Sequence, residues 1–86
     1  MILKFFAEWC GPCKTMKPLV DEVFNGEVVE VDIDTTEGAE IAERYGVRGV
    51  PTLIRVDADG EMVNIKVGLQ TKQQLVDWRV GFESFL

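Results

Sequence analysis

The apolar residues of this chain fall into short blocks whose spacing switches between the period of a strand and that of a helix. Ile2 to Ala7 is a continuous apolar run broken only by Lys4, too short for a helix and rich in strand formers, which predicts a buried strand. It runs into Glu8-Trp9-Cys10-Gly11-Pro12. From Pro12 to Phe24 the residues Met16, Leu19, Val20, Val23 and Phe24 recur three and four apart, with Lys14, Lys17, Asp21 and Glu22 between them, the pattern of an amphipathic helix. Pro12 suits the first turn of that helix, whereas Pro18 lies inside and should remove one backbone bond and bend the axis. Asn25-Gly26 ends it. Val28, Glu30 and Asp32 alternate with Val29, Val31 and Ile33, which predicts a strand with one apolar face. Because a helix separates this strand from the first, the two are expected to pair in parallel through a right-handed crossover.

A shorter helix is predicted over Gly38 to Tyr45, entered through Asp34-Thr35-Thr36-Glu37 and ended by Gly46. The loop from Gly46 to Pro51 leads into a strand over Thr52 to Val56. Asp57-Ala58-Asp59-Gly60 is a hairpin signal that returns the chain antiparallel as Met62 to Val67. Gly68 closes that strand, and Thr71 can cap a last helix whose Leu75, Trp78, Phe82 and Phe85 share a core-facing side, with Gly81 weakening its end. The order βαβαββα, without repeats or a linker, predicts one α/β domain over residues 1–86 with four strands and three helices.

Composition narrows the function. A hydrophobic share of 47% with 28% charged residues is that of a globular chain, and no apolar run approaches the roughly 20 residues of a membrane span. Lys4 sits inside the opening apolar stretch, with no basic leader before it and no small-residue cleavage site after it, so the segment does not read as a signal peptide and the expected location is cytoplasmic. Fifteen acidic against nine basic side chains, a formal charge of -6, would repel a phosphate backbone, so neither nucleic acid nor membrane is an expected partner. The absence of histidine removes every mechanism that needs an imidazole base, ligand or nucleophile partner. Asp57 and Asp59 belong to a hairpin turn and lack the ligand spacing of a calcium loop. The two cysteines, Cys10 and Cys13, could hold zinc only by recruiting carboxylates or a second chain. Neither a metal nor a cofactor is expected, and cysteine chemistry is what remains.

A Cys-X-X-Cys placed where a strand turns into a helix has a physical rationale. The helix N-terminus offers unpaired N-H groups and a partial positive charge that favour thiolate over thiol. Cys10, at the turn, is the expected nucleophile, with the lower pKa and the greater exposure; Lys14 is a secondary aid. Three residues on, Cys13 comes back beside it, close enough to resolve a mixed disulfide. Gly11 permits the tight turn and Pro12 stiffens it. The competing readings of the pair are a buried structural cystine and half of a metal site.

The segment Ala7-Glu8-Trp9-Cys10-Gly11-Pro12-Cys13-Lys14 closely resembles the active-site signature of the thioredoxin family, and Gly46-Val47-Arg48-Gly49-Val50-Pro51-Thr52 resembles its cis-proline loop. Lys66-Val67-Gly68 is similar to the family's third substrate-facing segment, and Pro18, five residues after Cys13, matches its kinked helix. The resemblance covers nearly the whole chain. It implies a four-stranded mixed sheet of the thioredoxin-like fold, in which the strand after the first helix lies outside the first strand, the other two follow on the opposite side, and the first and last helices share one face. It implies further that the Val50-Pro51 bond is cis and lies against the sulfurs, that the Val50 backbone pairs with an extended substrate, and that Trp9, Gly11, Pro12, Val50 and Gly68 form a flat apolar surface around Cys10.

Two departures accompany the match. The family pattern begins with an extra strand and helix that are lacking here, so Val28 to Ile33 becomes a sheet edge, with Glu27, Glu30 and Asp32 discouraging further pairing. The family also carries a buried aspartate six residues before the first cysteine and a lysine on the next strand, where this chain has Lys4 and Glu30. The charges are reversed. These two residues are either a buried proton-transfer pair or an independent snorkelling lysine and solvated glutamate. The resemblance implies a monomeric protein-disulfide reductase that acts on disulfide-containing proteins and is recharged by a thioredoxin reductase. A glutaredoxin-like electron donor is the nearest alternative, favoured by the short architecture and opposed by Gly11-Pro12 and by the lack of an evident glutathione-carboxylate site. A binding module with incidental cysteines is the alternative from another class.

Overall fold

The computed structural model describes the backbone of residues 1–83 and the side chains of residues 1–81. The elements run β1 (Ile2–Phe6), α1 (Gly11–Val23), β2 (Val29–Asp32), α2 (Thr36–Tyr45), β3 (Thr52–Val56), β4 (Met62–Val67) and α3 (Lys72–Glu83). The sheet order is β2-β1-β3-β4. β1 and β2 are parallel, with Lys4 opposite Glu30 and Phe5 opposite Val31, and the other two pairings are antiparallel. The four strands and three helices are those the sequence pattern predicts, and their assembly into one mixed sheet is the one the resemblance implies.

Alternation along β1 divides the core in two. Ile2 joins Met16, Val20, Val23, Phe24, Leu53, Leu75 and Trp78 beneath α1 and α3. Leu3 and Phe5 point the other way and pack with Val31, Ala42, Ile54 and Val56 beneath α2. The apolar side expected of the last helix is thus occupied by Leu75 and Trp78, with the Trp78 ring edge-on to Phe24 at 5.9 Å; the side chains of Phe82 and Phe85 lie outside those described.

β1 and α1 differ from the sequence reading by one residue at their ends, and the differences at α2 and β2 have identifiable reasons. α2 starts at Thr36 and not at Gly38, because Thr35 is the cap: its Oγ1 accepts from the Gly38 N-H at 2.9 Å. Gly38 then lies inside the first turn, where a Cβ would overlap the backbone carbonyl of Asp32 at the end of β2; only glycine lets the helix approach the strand so closely. β2 is shorter than the alternation suggests, and Val29 on its nominally apolar face is 47% exposed, since an edge strand is only partly covered by one short helix. At α3 the expected cap is present and is reciprocal: Thr71 Oγ1 accepts from the Gln74 N-H at 3.1 Å while Gln74 Oε1 accepts from the Thr71 N-H at 2.8 Å. The hairpin is held by Asp57 Oδ1, which accepts from the backbone N-H groups of Asp59 and Glu61. Pro18 lies within α1 without ending it.

Candidate active site

The site forms where β1 gives way to α1. After Ala7 the chain turns, with the Cys10 N-H donating to the Ala7 carbonyl at 3.1 Å, and Cys10 becomes the N-cap of α1 in an extended backbone conformation. Its Sγ accepts from the Cys13 N-H at 3.1 Å, so the sulfur occupies the place that a serine or aspartate oxygen takes in an ordinary cap. A group held there by a helix N-H and the helix dipole is favoured as an anion once the bond to its partner is reduced. Cys10 and Cys13 form a disulfide, with Cα atoms 5.3 Å apart. A structural cystine would satisfy that distance too; its placement at a helix start is what suits exchange.

In this oxidised form the two cysteines are equally buried, each 3% exposed, in contrast to the greater exposure expected of Cys10. The reason is packing: the pair sits in a small apolar cluster with Ala7, against which Phe6, Ile33 and Val50 press. Gly11 and Pro12 are exposed beside it. The Val50-Pro51 peptide bond is cis, Pro51 is buried, and Thr52 Oγ1 ties the loop by donating to the Gly49 carbonyl at 2.8 Å. Gly68 joins the same patch: its N-H donates to the Pro51 carbonyl at 2.9 Å, and its φ of 89° is a conformation that favours glycine. Trp9 is 68% exposed, and its indole N-H donates to Asp34 Oδ2 at 2.9 Å, which orients the ring. Nothing local in the sequence links Asp34 to Trp9, 25 residues away; the sequence reading placed Asp34 only in a helix entry.

The opposite side of the pair is a charged cleft of about 230 Å³ lined by Lys4, Phe6, Ala7, Glu8, Cys13, Lys14, Lys17 and Glu30. Lys4 is 2% exposed, its Nζ 5.8 Å from the centre of the Phe6 ring and 3.5 Å from Glu30 Oε1. The two residues are therefore paired across adjacent strands, but only one is buried, because the Glu30 side chain remains 42% exposed at the sheet edge. The sequence reading missed a third member. Lys17 Nζ reaches the same Glu30 oxygen at 3.1 Å and Asp21 Oδ2 at 3.2 Å, and these hydrogen bonds, Glu30 foremost, raise its pKa above the ordinary 10.5. Its position one helical turn after Cys13 is the signal that could have found it.

The family profile described as thioredoxin matches residues 1–79. The chain belongs to the thioredoxin family. Thioredoxin from Rickettsia felis is 38% identical over 81 residues, covering 91% of this chain and 76% of that protein. A single-site mutant of thioredoxin from Halobacterium salinarum has 42% identity and a TM-score of 0.76 over 90% of this chain and 68% of its own. The reduced thioredoxin pre-protein of Schistosoma mansoni has 34% identity and a TM-score of 0.76 over 99% of this chain and 77% of its own. As a member of that family the chain is a thiol-disulfide oxidoreductase with a redox-active Cys-X-X-Cys pair. Disulfide substrates and a reductase are the partners that go with the family. Among the described residues no helix is long and apolar enough to cross a membrane.

Proposed function

We propose that the chain works as one domain, a monomeric cytoplasmic reductase of protein disulfides in which Cys10 attacks and Cys13 resolves. The observation that carries this reading is the placement of Cys10 Sγ as the cap of α1, bonded to a Cys13 that opens onto the charged cleft. In the reduced protein the Cys10 thiolate attacks one sulfur of a substrate disulfide; the substrate S-S bond breaks, a mixed disulfide forms, and one substrate thiolate leaves and takes a proton from water. Cys13 then gives up its proton, for which Glu30 is the nearby half-exposed carboxylate, with Lys4 its charge partner. Its thiolate attacks Cys10 Sγ, so that the Cys10–Cys13 bond forms as the mixed disulfide breaks and the second substrate thiolate is released and protonated. Two electrons have passed to the substrate, and a thioredoxin reductase returns them.

Trp9, Gly11, Pro12, Val50, Pro51 and Gly68 supply the docking surface, on which the Val50 backbone pairs with an extended substrate segment. A structural neighbour, the subject of work on thiol resolution in a yeast mitochondrial 1-Cys peroxiredoxin via glutathione and thioredoxin systems, has 25% identity and a TM-score of 0.74 and supports a protein substrate of this kind. The test is a trap: Cys13→Ser should accumulate a one-to-one mixed disulfide with a protein substrate through Cys10, while Cys10→Ser should accumulate none. Turnover sustained by glutathione and not by a thioredoxin reductase would favour the glutaredoxin-like alternative, and full function in Cys10→Ser would favour a binding module.

A further inference from the structure

Among the described residues Lys4 is the one buried charged side chain, and a buried ammonium is costly unless fully paired. Its pairing is incomplete. The Glu30 oxygen 3.5 Å away is closer to Lys17, at 3.1 Å, and the Glu30 side chain is half in solvent. The groups that face the cleft beside Cys13 are Lys4 from β1, Glu8 from the turn, Lys14 and Lys17 from α1, and Glu30 from β2, three cations against two carboxylates. The cation on the cleft floor is the one least screened by water.

A positive charge gains little beside a neutral disulfide and a good deal beside a thiolate. We propose that Lys4 tunes the redox couple: its buried ammonium, under-compensated by Glu30, stabilises the Cys13 thiolate, so the protein is a stronger oxidant, and resolves mixed disulfides faster, than the same scaffold with a neutral residue at this position. Lys4 acts through its field and takes no part in bond making. When a dithiol donor reduces the protein, the donor gives two electrons and two protons and becomes a disulfide, the Cys10–Cys13 bond breaks to two thiols, and the ionisation that Lys4 favours sends the Cys13 proton to solvent. Stabilising the product of that ionisation pulls the whole equilibrium toward the reduced form. In the resolving step the thiolate fraction gained outweighs the lower nucleophilicity of a less basic sulfur. The inference rests on the Cys10–Cys13 exchange reading above.

The test is the equilibrium of the full chain with reduced and oxidised dithiothreitol, together with the pH profile of mixed-disulfide release. Lys4→Met should move the equilibrium about tenfold toward the disulfide, roughly 30 mV lower in potential, and carry the release profile to higher pH. Glu30→Gln, which leaves the Lys4 ammonium without its carboxylate, should move the potential the opposite way. A merely structural role would lower the stability of both variants without giving potential shifts of opposite sign. A Lys4→Met potential at or above the wild type overturns the proposal, as does a Glu30→Gln potential at or below it; should either variant fail to fold, Lys4→Gln, which keeps a polar side chain without the charge, decides by the same lowered potential. A wild-type chain that does not exchange with dithiothreitol at all would instead bring down the exchange reading, and this inference with it.

Discussion

The two sides of the Cys10–Cys13 disulfide are built from different materials. On one side lie Val50, Pro51 and Gly68, held by backbone hydrogen bonds and apolar packing, with Trp9 fixed by a single bond to Asp34. On the other lies a cleft whose character comes from Lys4, Lys17 and Glu30. The difference follows from what each side must do. A surface that meets many substrates gains from shape and open backbone groups, which are indifferent to sequence. A surface that manages the charge of a sulfur must hold ionised groups where water screens them poorly. Disrupting one side should therefore impair docking, and disrupting the other should change proton and electron equilibria.

The largest effect belongs to the boundary that both sides share. Cys10→Ser removes the only sulfur placed at the helix cap, and insulin reduction by that variant should fall to the background rate of the reductant alone. Val50→Asp attacks the apolar side alone: a carboxylate pressed against the sulfur cluster disfavours both the bound substrate and the neighbouring thiolate, so the exchange rate should drop about tenfold or more while the melting transition stays cooperative. An unchanged rate would remove Val50 from the docking surface.

The charged side is probed by stability across a Lys4→Met and Glu30→Gln cycle. Glu30→Gln strands a buried ammonium, whereas Lys4→Met leaves a half-exposed glutamate that still has Lys17, so the glutamate substitution should cost more. The double variant should be milder than the sum of the singles by about 1 kcal/mol, read from denaturant midpoints; zero coupling would make the two residues independent. The smallest effect is alkaline. Because the Lys17 pKa is raised in the folded protein, its contribution is fully present below the ordinary value near 10.5 and disappears as pH climbs through the raised one. Lys17→Met should flatten the fall in stability over that range and leave neutral pH little changed.

The fold was legible because β1 is an unbroken apolar block save for Lys4, α1 and β2 carry the periods of a helix and a strand, and the turns around β3 and β4 use glycine, proline and aspartate in their ordinary roles. What the pattern did not carry was contact at a distance. The start of α2 depends on how closely Gly38 approaches Asp32, and the exposure of Val29 depends on which helix covers the sheet edge. In the site, the cysteines and Pro51 announce themselves by local motif. The Lys4 and Glu30 positions suggested a pair, but one fully buried member and one half-exposed member follow from the edge position of β2, and the sharing of one carboxylate oxygen by Lys4 and Lys17 follows from the register of α1 over β1 and β2. The equal burial of the two sulfurs likewise reflects the oxidised cluster around them and not the order of the residues.

The exchange mechanism depends most directly on the division of labour between the two cysteines. Reduced protein treated with a limiting amount of iodoacetamide at neutral pH, followed by peptide mapping, reads which sulfur is the accessible thiolate. Cys10, whose Sγ accepts the Cys13 N-H at the start of α1, should carry nearly all the label. Preferential labelling of Cys13 would reverse the assigned roles and contradict the mechanism built on them.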